Sequence, residues 1–69
     1  MMTDERMAAF GKRVREVRKR KGISQERLAE MADIDRSYMG NIERGEKNIT
    51  LKKAYEICDA LNIGIKDLL

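Results

Sequence analysis

Apolar residues recur at helical spacing along most of the chain, and residues suited to capping break that pattern into short segments. In the first, Met7, Phe10, Val14 and Val17 repeat at i, i+3, i+7 and i+10, one face of a helix. Thr3 is placed to cap it, with Asp4 and Glu5 in its first turn and basic residues in its last, as the helix dipole favours. The helix is predicted to end near Lys21, with Gly22 as its C-cap. Phe10 could stack on a base, but its place on the stripe assigns it to the core.

Ile23 to Gly45 reads as two short helices joined by a tight turn. Ser24 caps the first, with Ile23 and Leu28 positioned as a hydrophobic staple; Asp35 repeats the device with Ile34 and Met39. Leu28, Ala29, Ala32, Ile34, Met39 and Ile42 fall inward, and the small Ala29 lets the second helix cross closely. Arg36, Ser37, Gly40, Asn41 and Arg44 form the opposite stripe, which holds no large apolar side chain. Its donors and acceptors suit base edges and phosphates. Glu46 to Ile49 read as a loop, and Thr50 caps a further helix whose buried stripe is Leu51, Ala54, Ile57, Cys58 and Leu61. Cys58 on that stripe acts as a small core hydrophobe rather than a redox thiol. Asn62 suits a left-handed C-cap, and Ile63 to Leu69 form a last short helix or turn.

Gln25, Leu28-Ala29, the turn Asp33-Ile34-Asp35, and Ser37-Tyr38-Met39 running into Ile42-Glu43-Arg44-Gly45 resemble the helix-turn-helix of the phage-repressor-like (Cro/repressor, or XRE) DNA-binding family. The resemblance covers nearly the whole chain. It departs at Asp33, where the family usually has glycine; aspartate tolerates the left-handed conformation at a modest cost. The stretch from Asp35 to Lys52 looks particularly like short stand-alone regulators, including controller proteins of restriction–modification systems.

The resemblance assigns roles. It implies that Gln25 and the helix N-terminus grip a phosphate, for which free N–H groups are suited. Arg36 matches a base-contacting position and has the fork for guanine, with Ser37 and Asn41 as further base-edge readers. Gly40, costly inside a helix by about 1 kcal/mol relative to alanine, marks either close approach to DNA or close packing. Tyr38 borders the stripe and either touches sugar-phosphate or covers the core edge. Arg44, Lys47, Asn48, Thr50 and Lys52 lie where the family contacts the DNA backbone, although Lys52 has a merely solvated alternative. Arg18 and Glu43 fall where the family often has a partly buried ion pair, so Arg18 is structural rather than a DNA contact.

At 69 residues the expectation is a single small domain, residues 1–69, burying only about 60% of its unfolded surface. Its own core should supply on the order of 3–5 kcal/mol, so self-association would help. Ile63, Ile65, Leu68 and Leu69 exceed what so small a domain can cover and are predicted to centre a homodimer interface. The net charge is only +3 with 39% charged residues, so distribution matters more than total. Lys12, Arg13, Arg15, Arg18, Lys19, Arg20 and Lys21 stand against the single acid Glu16 in that run. Part of this is a solvated helix face; beside a helix-turn-helix it also reads as a phosphate footprint.

With no histidine and one cysteine, neither an ordinary zinc site nor a His-based triad can be assembled. No glycine-rich phosphate loop, signal peptide or long apolar run is present. The expectation is therefore an all-α bundle of four to five short helices without cofactor, metal or evident small-molecule ligand, cytoplasmic and not an enzyme. It should bind double-stranded DNA sequence-specifically as a homodimeric transcriptional regulator on a (pseudo)palindromic operator. The rival reading is an antitoxin-type protein-interaction module, against which the polar and basic row of the second motif helix argues.

Overall fold

Four α-helices and one 3-10 turn make up the regular structure of the computed structural model, which describes residues 4–69. They are α1 (Glu5–Arg20), α2 (Gln25–Met31), α3 (Arg36–Glu43), α4 (Leu51–Leu61) and the 3-10 turn Ile65–Leu68. Among the described residues there is no strand, so the all-α expectation holds.

Local chemistry sets the boundaries. The Ser24 hydroxyl accepts from the Arg27 N–H at 3.0 Å, the Asp35 carboxylate from the Ser37 N–H at 3.0 Å, and the Thr50 hydroxyl from the Lys53 N–H at 3.1 Å. Each such cap contributes about 1 kcal/mol. The cap of α1 is Asp4 rather than Thr3, which lies outside the described residues. The Arg6 backbone N–H, and then the Arg6 side chain, hold the Asp4 carboxyl below its usual range.

All four helices end in one way. Gly22, Asp33, Gly45 and Asn62 adopt positive φ, and the residue after each donates back across the turn. Ile23 bonds the Arg18 carbonyl, Ile34 that of Ala29, Glu46 that of Asn41, and Ile63 that of Cys58. These are Schellman closures. Asp33 takes the left-handed conformation at φ 56°, so the motif's turn forms without glycine.

The core gathers Phe10, Val14 and Val17 of α1, Leu28, Ala29 and Ala32 around α2, Ile34, Met39 and Ile42 around α3, and Ala54, Ile57, Cys58 and Leu61 of α4. Burial first, then Asp59 and Asp67, raise the Cys58 thiol pKa, which suits a packing role. Leu51 departs from its predicted place in the buried stripe. At the first position of α4, ahead of the packed turns, it is 67% exposed.

The last segment also differs from expectation. Leu68 is 1% exposed, because the 3-10 turn folds back onto α1 and α4 and inserts this side chain into the core. Asp67 braces the turn twice: its carboxylate accepts from the Gly64 N–H at 3.1 Å, and its carbonyl accepts from Arg13 at 2.9 Å. Leu68 is therefore unavailable to a partner. Ile63 and Ile65 are half-buried against the core, and Leu69 is 84% exposed.

Candidate nucleic-acid interface

The site is built on α3, and α1 holds α3 in place. A Cβ added at Gly11 would lie 2.2 Å from the Ile42 carbonyl oxygen and 2.8 Å from that of Glu43. Only glycine lets the two backbones pass this closely. Gly45, with φ 75°, would likewise bring a Cβ within 2.5 Å of Ala8 Cα. Beside this crossing, Arg18 makes a two-pronged bond to Glu43, Nε to Oε2 at 2.8 Å and Nη2 to Oε1 at 3.0 Å. Arg18 Nη1 donates to the Ile23 carbonyl at 2.9 Å. Gln25 Nε2 donates to Glu43 Oε1 at 3.1 Å. Both charges are buried, and such burial is tolerable only when the pair is this fully bonded. The network ties α1, the start of α2 and the end of α3 into one unit.

The outer face of α3 is different. Gln25, Arg36, Ser37, Gly40, Asn41 and Arg44 line one shallow polar depression. Arg36 and Ser37 are exposed, Asn41 half-buried, and Gly40 buried. A Cβ at Gly40 would meet only side-chain ends, Arg44 Nη1 at 3.2 Å and Gln25 Oε1 at 3.4 Å. Gly40 is thus the floor on which two polar side chains rest. Tyr38 is half-buried and packs against the core.

Hydrogen bonds fix which chemistry these groups can offer. Arg44 Nη2 donates to Asn41 Oδ1 at 2.6 Å, and arginine only donates, so one lone pair of that oxygen is taken and the Asn41 NH2 keeps both its donors. An asparagine held so can donate to a base or phosphate acceptor, and its oxygen keeps a second lone pair for a base donor. Arg44 Nε is also engaged, with Glu46 at 3.2 Å. By the same logic Gln25 turns its NH2 to Glu43, keeping one N–H and its carbonyl for other partners. Arg36 has a single partner among the described residues, Glu26, with Nη1 3.4 Å from Oε2.

Lys47, Asn48, Thr50 and Lys52 are exposed in the loop after α3 and at the start of α4. None of them lines the depression, and the Thr50 oxygen already caps α4. Within the basic run of α1, Arg13 and Arg18 are engaged inside the molecule, while Lys12, Arg15, Lys19, Arg20 and Lys21 are exposed. Sequence reasoning passed over Gly11, Glu26 and Glu46. The signal for Glu26 was present, an acid in the first turn of one motif helix facing a base in the first turn of the next.

A helix-turn-helix (HTH_3) family model matches residues 14–68. The chain belongs to this family. The helix-turn-helix chain is 42% identical over 69 residues to control protein C.BamHI of Bacillus amyloliquefaciens, covering 99% of this chain and 85% of that protein. The crystal structure of the restriction-modification controller protein C.AhdI from Aeromonas hydrophila matches with a TM-score of 0.92 at 41% identity, over 96% of this chain and 100% of that one. SinR, a master regulator for biofilm formation solved in complex with DNA, matches at 32% identity with a TM-score of 0.80, over 86% of this chain and 95% of its own. No described helix is long and apolar enough to cross a membrane.

Proposed function

We propose that this helix-turn-helix protein is a sequence-specific double-stranded DNA-binding transcriptional regulator of the controller type, cytoplasmic, without enzymatic activity and acting as a homodimer. The observation that carries the reading is the outer face of α3, where arginine, serine and asparagine side chains stand in one depression on a helix pinned from behind. In this reading α3 enters the major groove. Arg36 bonds guanine O6 and N7 together, Ser37 and the free NH2 of Asn41 bond further base edges, and Tyr38 lines the groove wall. Gln25, Arg44, Lys47, Asn48, Thr50 and Lys52 hold phosphates on either side, which supplies affinity and its salt dependence. Gly40 floors this face beneath the movable ends of Gln25 and Arg44.

A second copy would cover the apolar positions left exposed or half-exposed, Ile63, Ile65 and Leu69 together with Leu51 and Tyr55 of α4. Two recognition helices related by a two-fold axis read half-sites about 10–10.5 bp apart, or a multiple of that. Repeated selection of bound duplexes from a random pool tests the reading. It should enrich one inverted repeat with a guanine in each half-site. Failure to enrich any sequence, with the protein folded, would contradict it.

A further inference from the structure

Arg36 and Glu26 belong to different helices of the motif, each in the first turn, and touch across the turn between them. The contact is one-sided. Glu26 takes Nη1, while Nε and Nη2 of Arg36 make no hydrogen bond among the described residues. The Nε–Nη2 edge has the paired N–H geometry that matches guanine O6 and N7. We propose that Glu26 is a positioning residue for base discrimination, holding one side of the Arg36 guanidinium so that its other edge faces guanine. The inference rests on the DNA-binding reading above and goes beyond it by assigning discrimination to a residue that reads no base.

Thermodynamics separates this role from the obvious alternative, in which Glu26 merely competes with DNA for Arg36. A contact that must break before Arg36 binds weakens every complex that uses Arg36. It cannot favour the right sequence over others. A contact that survives in the operator complex can. It reduces the freedom a long side chain loses on binding. It also makes Arg36 release its partner before swinging to a phosphate on unrelated DNA, and the carboxylate itself repels that phosphate. The free Nε–Nη2 edge is what allows the contact to survive: guanine and Glu26 occupy different sides of one guanidinium.

The test is to titrate Glu26→Gln and Glu26→Ala, alone and in an Arg36→Ala background, against the selected duplex and a scrambled one at fixed salt. Both positions are exposed, and this pair is the only hydrogen bond or ion pair of either side chain among the described residues. Thermal unfolding of the single variants should therefore stay close to that of the parent protein, apart from the small helix-dipole contribution of Glu26. Operator affinity should fall by roughly three- to ten-fold, a fraction of what the bidentate Arg36–guanine contact itself contributes. Affinity for scrambled duplex should stay level or rise, so the ratio between the two narrows. In the Arg36→Ala background the same changes at Glu26 should leave the ratio untouched. Equal effects on both duplexes, a ratio that widens, or a narrowing that persists without Arg36 would each overturn the proposal. A parent protein with no preference between the duplexes would instead overturn the DNA-binding reading and this inference with it, and one whose preference ignores Arg36→Ala would overturn the placement of Arg36 on guanine and with it this inference.

Discussion

The inner face of α3 lies backbone against backbone on α1 at Gly11 and sets the Glu43 carboxylate in three hydrogen bonds. The outer face carries Arg36 in one long, exposed contact and Arg44 in two. Both faces hold arginine–glutamate pairs, yet the physics differs. Arg18–Glu43 is buried, so removing one partner strands a charge in the core. Arg36–Glu26 is in water, where such a pair contributes little to stability. One face fixes where the helix is; the other keeps its side chains available. A recognition helix needs both, since a base contact is only as specific as the scaffold that aims it.

Changes on the inner face should cost the most. Glu43→Gln leaves Arg18 buried without its counter-charge and is expected to destabilise the fold by roughly 3–5 kcal/mol. Denaturant unfolding measures it; an unchanged midpoint would mean that the inner face is not what holds α3. Gly11→Ala comes next. Alanine gains about 1 kcal/mol of helix propensity, but its Cβ would overlap the carbonyl oxygens of Ile42 and Glu43, and overpacking of that kind costs about 1–3 kcal/mol. Overlap with backbone should win, lowering the melting temperature.

Gly40→Ala is the same substitution on the outer face, with the opposite expected sign. Its Cβ meets only the movable ends of Arg44 and Gln25, so the propensity gain should prevail, raising stability by about 0.5–1 kcal/mol. Operator binding should be largely kept. Unfolding and binding of this variant together sharpen the contrast: a stable protein that has lost the operator would mean that DNA comes down to the Gly40 backbone itself. The smallest effect belongs to Lys47, exposed beyond the depression. Lys47→Ala should weaken operator and scrambled duplex alike and flatten the slope of log affinity against log salt by about one unit. A loss confined to the operator would move Lys47 from phosphate to base.

The same division explains what the sequence reveals. Caps at Ser24, Asp35 and Thr50 and the C-cap positions Gly22 and Asn62 are decided within a few residues, so local pattern suffices to read them, whereas the left-handed turn at Asp33 follows from the family resemblance. The Arg18–Glu43 pairing follows from family resemblance rather than from any local pattern. Gly11 carries no local signal at all, because its necessity arises only when α1 and α3 cross. Leu51 and Leu68 illustrate the same limit from the apolar side. Leu51 fits a hydrophobic stripe yet lies ahead of the packed turns, while Leu68 reads as surplus apolar surface yet is swallowed when the chain folds back, and tertiary placement decides each. On the outer face the residue types of Arg36, Ser37 and Asn41 were legible. Their commitments to Glu26 and Arg44, which determine what each can still offer DNA, were not.

Whether the outer face of α3 discriminates between sequences is tested most directly at Arg36. Arg36→Ala and the parent protein are to be titrated against the selected operator and a scrambled duplex at several salt concentrations. Arg36→Ala should lose about 1–3 kcal/mol on the operator and change little on the scrambled duplex, with thermal stability preserved. An equal loss on both duplexes would contradict it, for Arg36 would then be gripping the DNA backbone and α3 would not be reading bases through it.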